Sequence, residues 1–141
     1  TLSDKDVEIL RTMGGWMKVN DEAIHGTGLW LLAQEGPTVI EEGGFSDGKP
    51  RVFTSEDFRF TCRGDQVYAI AMACPEDGVL KIRSLRADGE DHKAPCHSLV
   101  RKVEVLGLDH PVKWTRDTEA LTVDLGDYRT DLPLTVRVTV V

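Results

Sequence analysis

His92, Cys96 and His97 are the nearest approach to a metal cluster in this 141-residue chain. Zinc takes four ligands, usually as two spaced pairs, and neither Cys62 nor Cys74 brings a CxxC partner, so the spacing predicts a polar loop and no metal site. Glu41, Glu42 and Asp47 lie in a Gly-rich stretch, but the ordered carboxylate spacing of a calcium loop is missing and a solvated loop is expected. Glycosidase chemistry needs two carboxyl groups about 5–9 Å apart in a pocket. Among 24 acidic residues some pair always looks suggestive, and no context singles one out. No Ser-His-Asp or Cys-His arrangement carries a local signature either. The residue types therefore nominate no catalytic, substrate-binding or metal-binding residue and call for no cofactor.

Other candidates reduce to architecture. Arg63-Gly64-Asp65 spells a cell-adhesion tripeptide, but between two strands Gly-Asp is a common hairpin turn. Gly26-Thr27-Gly28 lacks the third glycine and the preceding strand of a dinucleotide loop. Trp16, Trp30 and Trp114 are the residues with which a sugar platform would be built. Trp16 belongs to an apolar helix face and Trp114 shares a strand face with Val112, so core packing is expected of both. Trp30 alternates with Leu29 and Leu31, which leaves its side open. The three cysteines are an odd number; Cys62 and Cys74 flank a predicted hairpin, and without a dense disulfide framework free thiols are expected.

The elements that would position these groups change character once along the chain. Residues 1–17 have helical periodicity, with Ser3 as N-cap and Asp6 in capping-box spacing. At 100° per residue Val7, Ile9, Leu10, Met13, Gly14, Trp16 and Met17 fall on one half of the cylinder, with Asp6 the only charge among them. An apolar arc that wide calls for more than one packing neighbour. Asn20 is a candidate cap for a short turn ended by Gly26. After Gly28 the period becomes two. Strands are predicted at 29–33, 38–40, 51–53, 58–62, 66–73, 79–85, 99–106, 112–115, 121–125 and 134–141, with long loops at 41–50 and 86–97. Strand 66–73 is apolar on both faces, Tyr68, Ile70 and Met72 against Val67, Ala69, Ala71 and Ala73, as for a central strand covered on both sides. The fold expected is mainly β: an antiparallel, jelly-roll-like sandwich over residues 28–141, preceded by one N-terminal helix and junction over residues 1–27.

Composition bounds the function without naming it. The chain is 40% hydrophobic and 29% charged, with 17 basic and 24 acidic residues and a net charge of −7. A pI near 5.0 argues against a nucleic-acid partner, which would need clustered Lys and Arg. No apolar run approaches the roughly 20 residues of a membrane span, and the first residues lack the pattern of a signal peptide.

Taken together the motifs are recognisable. Val7-Glu8-Ile9-Leu10-Arg11, Gly15-Trp16-Met17-Lys18-Val19-Asn20 and Glu22-Ala23-Ile24-His25-Gly26-Thr27 resemble the junction in family 29 glycoside hydrolases, the α-L-fucosidases, where the last helix of the catalytic barrel runs into the C-terminal domain. The similarity continues through Phe53-Thr54-Ser55-Glu56-Asp57-Phe58-Arg59-Phe60-Thr61, Gly64-Asp65, Val67-Tyr68-Ala69-Ile70, Val79 to Leu85, Val103 to Gly107, Val112-Lys113-Trp114 and Leu121-Thr122-Val123. Asp21 and His25 stand where the family usually has glycine and tyrosine, and loop 86–97 has no counterpart.

The resemblance implies a retaining glycosidase whose nucleophile and acid/base lie in the barrel. None of those residues falls in this chain, which would be inactive alone and would support the barrel structurally. It also implies an exported parent, periplasmic, secreted or lysosomal, while the chain itself fixes no compartment. Val7, Leu10, Met13, Trp16 and Met17 are then the expected barrel-facing surface, covered in part in the isolated chain by a second copy or by crystal packing. The rival reading is an autonomous carbohydrate-binding module, which would need Trp30 or another aromatic exposed.

Overall fold

Ser3 opens the helix as its side chain suggests. In the computed structural model, which describes residues 3–38 and 52–141, its hydroxyl accepts from the Asp6 amide at 3.2 Å and the Asp6 carboxylate accepts from the Ser3 amide at 3.3 Å. That capping box starts α1, Asp4–Asn20. A 3-10 turn, Asp21–Ala23, follows at once. Asn20 does not cap it. Its amide donates back to the Trp16 carbonyl at 3.0 Å, because Asn20 is already buried at the helix end. Gly26, at φ +72°, ends the junction where a residue with a Cβ would be strained.

Among the described residues eight strands follow, in two antiparallel sheets. The larger is ordered β1 (Gln34–Glu35), β2 (Phe58–Arg63), β3 (Gln66–Ala71), β8 (Leu134–Val140), β5 (Val100–Val105). The smaller is ordered β4 (Val79–Ile82), β7 (Leu121–Asp124), β6 (Lys113–Arg116). From β3 onward every connection except the β6–β7 hairpin carries the chain from one sheet to the other, which is jelly-roll winding. Gly64 takes the first central place of the β2–β3 turn at φ +60°, so Arg63-Gly64-Asp65 is part of a hairpin.

The alternation read from the sequence sorts the side chains. Phe58 and Phe60 of β2, Val67, Ala69 and Ala71 of β3, Val136 and Val138 of β8 and Val103 and Val105 of β5 point inward, onto Leu80, Ile82, Leu121 and Val123 of the smaller sheet. The alanines of β3 keep this central strand thin where the second sheet approaches. Its other face is also buried: Tyr68 and Ile70 pack with Ala23, and Trp16, Met72 and Leu106 lie against them. The junction is thus the cover that the two-faced strand requires.

Several sequence expectations need correction. Residues 29–33 do not form a strand. The chain touches the β2 edge at Gly28, opposite Cys62, and again at Gln34, opposite Arg59, so six steps face three and the excess bulges away. The strand expected over 79–85 stops at Ile82, and Arg83–Leu85 is a 3-10 turn whose Arg83 and Ser84 amides bond to Glu35 at 2.9 and 2.6 Å. Val52 and Phe53 are not in a strand, and neither is Thr38. The rest of the strands expected at 38–40 and 51–53, together with Glu41, Glu42 and Asp47, lies outside the described residues.

Candidate docking interface

The interface is built on one cross-strand row of the larger sheet's outer face: Thr61 opposite Tyr68, Tyr68 opposite Arg137, Arg137 opposite Glu104. Period-two alternation puts all four on the side away from the core. Three of them bond to the junction, and Glu104 holds Arg137. Thr61 donates to the Ala23 carbonyl at 2.6 Å. Arg137 Nη1 reaches both Glu22 oxygens at 3.0 and 2.8 Å, while its Nε and Nη2 hold the two Glu104 oxygens at 3.3 and 2.9 Å. The Tyr68 hydroxyl lies 2.8 Å from both Glu22 Oε2 and Gln66 Oε1. Its single proton serves one acceptor at a time, and the charged carboxylate is the stronger.

The electrostatics follow from this geometry. Burial pushes the Glu22 carboxyl up, but the bonds from Arg137 and Tyr68 outweigh it and hold the group below the usual carboxylate range. At Glu104 the Arg137 bond is the largest influence and the direction is the same. Tyr68 is pushed up by burial and by the Glu22 carboxylate. Both glutamates are therefore ionised at neutral pH and committed to one guanidinium.

Above this clamp the helix is held on one flank. The Trp16 indole donates to the Pro133 carbonyl at 2.7 Å. Val19 approaches Gly107 so closely that a Cβ there would stand 2.9 Å from its Cγ1. Of the residues the sequence placed on the barrel-facing surface, Val7, Trp16 and Met17 are half-buried, whereas Leu10 and Met13 are 54% and 59% exposed. Ile9 and Val19, outside that set, are exposed as well. Thr12, Met13, Trp16 and Met17 with Leu132 and Pro133 line a groove of about 280 Å³ along the helix.

The other candidates scatter. Trp30 turns inward, 4.9 Å from Phe60 between ring centroids, and Trp114 packs on the core. Cys62, Cys74 and Cys96 are free, and Cys96 is buried away from its histidine neighbours. His92 and His97 instead share Asp88 Oδ2, at 3.2 and 3.1 Å. Among the described residues no group of three or more His, Cys, Asp or Glu side chains could hold a metal ion. None of their helices is long and apolar enough to cross a membrane. Loop 86–97 is stitched by Arg116, whose guanidinium bonds the Leu85, Arg86, Cys96 and Ser98 carbonyls.

Sequence reasoning missed Glu22, Tyr68, Glu104 and Arg137 as a unit. Arg137 reads as an ordinary solvent-facing residue of an alternating strand. The available signal was the apolar Tyr68–Ile70 side of β3, which already required a cover over that face. Asp21 and His25, the two departures from the usual junction, hydrogen-bond each other at the surface.

Fold and interface define an antiparallel two-sheet sandwich carrying a helix bonded to the outer face of its larger sheet. Residues 52–138 match the α-L-fucosidase C-terminal domain, and the chain belongs to that family. The human tissue alpha-L-fucosidase is 27% identical over 112 residues, covering 79% of this chain but 18% of the human protein. The rat protein is 26% identical over 111 residues with the same 18% covered. The Thermotoga maritima alpha-fucosidase solved with a mechanism-based inhibitor shares the fold, with a TM-score of 0.63 at 16% identity, over 99% of this chain and 27% of that one. Its complex with fucose gives the same score. The chain thus spans under a third of each of these relatives.

Proposed function

We propose that this chain is the non-catalytic C-terminal sandwich of an α-L-fucosidase and that α1 is the element through which it braces the catalytic barrel. The observation that carries the reading is the partial cover of α1, bonded to the sandwich at Trp16 and open at Ile9, Leu10 and Met13 in the turns before it. Leaving a leucine or methionine in water forgoes about 1.5–3 kcal/mol, so a helix that keeps them at i, i+3 spacing has a second body to meet. In such an enzyme a barrel aspartate attacks the fucosyl anomeric carbon, and a second carboxyl group serves as acid and then as base. A general acid needs a raised pKa. Glu22 and Glu104 are held the other way by Arg137, which fits a structural part for the acidic pair of this interface.

The test compares the 141-residue chain with the full-length polypeptide on an aryl α-L-fucoside. The short chain is expected to show no turnover. Leu10→Gln with Met13→Gln is expected to lower the melting midpoint of the full-length polypeptide while leaving that of the short chain in place. Turnover by the short chain, or saturable binding of fucosylated glycans to it, overturns the reading.

A further inference from the structure

The bulge that replaces the expected strand 29–33 presents leucines to solvent: Leu29 is 89% exposed, Leu31 67% and Leu32 37%. The segment is anchored at both ends. Gly28 and Cys62 exchange backbone hydrogen bonds at 2.8 and 3.0 Å, and the Phe60 amide donates to the Ala33 carbonyl at 3.0 Å. Between these anchors Trp30 turns onto Phe60, and the Cys62 thiol donates to the Leu29 carbonyl at 3.2 Å. The leucines are therefore held outward on a fixed scaffold, as a preorganised contact requires.

We infer that this bulge is a second docking point for the catalytic portion of the same polypeptide, beside α1; the inference rests on the proposed function above. Area selects the occupant. Three leucine tips offer on the order of 300 Å² of apolar surface at about 100 Å² each, against about 800 Å² per partner in a stable complex. That is too little to hold a separate molecule or a second copy. It is enough for a covalently linked domain, whose effective concentration is already high. Reach permits it as well. From Met13 to the end of α1 and on through the junction to Leu29, the path is at most about 40 Å. A barrel of about 250 residues is about 45 Å across, so one body can cover both surfaces.

The experiment is Leu29→Gln with Leu31→Gln, made in the full-length polypeptide and in the 141-residue chain and followed by thermal unfolding and light scattering. In the full-length polypeptide the midpoint is expected to fall by roughly 3 °C or more. In the short chain, where both side chains already face water, it is expected to stay unchanged. An unchanged full-length midpoint, or an equal fall in both, overturns the inference. So does a short chain that self-associates through these leucines and loses that association on substitution. A silent bulge variant beside an effective Leu10→Gln/Met13→Gln variant removes the bulge and leaves the proposed function standing. Loss of the proposed function itself shows separately, as turnover or glycan binding by the short chain.

Discussion

Asp57 shows what one buried charge can organise. It is fully buried, and its carboxylate accepts from the Thr38 amide on Oδ1 and from the Thr54 amide and the Thr38 and Thr54 hydroxyls on Oδ2, at 2.7–3.0 Å. Burial raises its pKa, yet these bonds win and bring it down to about 2. Two backbone amides use different oxygens, so Asp57→Asn can satisfy only one of them. The orphaned amide should cost about 2 kcal/mol of folding free energy at neutral pH. Because the folded-state pKa is depressed, the wild-type contribution is present above about pH 4 and fades as pH falls towards 2. Urea denaturation of both proteins across that window should therefore converge at the acid end, and a constant gap would refute the assignment. Arg137 is the second such residue. Replacing it by Met leaves Glu22 without its hydrogen-bonded cation and Glu104 with only Lys102, 3.6 Å away, whereas Lys restores charge but not the fork. Hydrogen exchange of the junction amides is expected to rise about tenfold or more in Arg137→Met and less in Arg137→Lys, with β3 unchanged. Both glutamates are held below their ordinary range, so this difference should persist above about pH 4.5 and shrink below it.

At the scale of elements, what the sequence disclosed depended on how many neighbours each element needed. β2, β5, β7 and β8 each bury one alternating face in the common core, and period-two alternation was enough to find them; β3, apolar on both faces, was legible as a short apolar run between turn signals. Ser3 and Asp6 close a box within four residues, so the start of α1 was equally legible. Residues 29–33 looked like a strand because they are apolar, but Leu29 and Leu31 face outward and no alternation within the segment could reveal that. The 3-10 turn Arg83–Leu85 escaped notice for a different reason. Its amides are held by Glu35, nearly fifty residues away, and local propensity contains no trace of such a partner. The same holds for the clamp, in which Glu22 and Arg137 meet across 115 positions. On α1 the apolar arc was visible, while which of its residues the sandwich covers depends on where Pro133 and Gly107 stand.

The whole molecule combines a net charge of −7 with an apolar helix flank that its own sandwich leaves bare. These act in opposite directions when two copies meet. Like charges repel over about 10 Å at 0.1 M salt and about 3 Å at 1 M, whereas apolar attraction is insensitive to that screening. The 141-residue chain should therefore be monomeric in dilute buffer and associate weakly as sodium chloride is raised, with the open flank of α1 as the contact. Leu10→Gln with Met13→Gln keeps the charge and the helix propensity and removes the apolar surface, so association should disappear at every salt concentration. Leu29→Gln with Leu31→Gln should leave it in place, because the predicted contact lies on α1 and not on the bulge. Sedimentation equilibrium of the three proteins from 0.02 to 1 M salt reads all of this. A short chain that stays monomeric throughout would show that the bare flank is too small to act without a tethered partner, and would remove self-association from the properties of this domain.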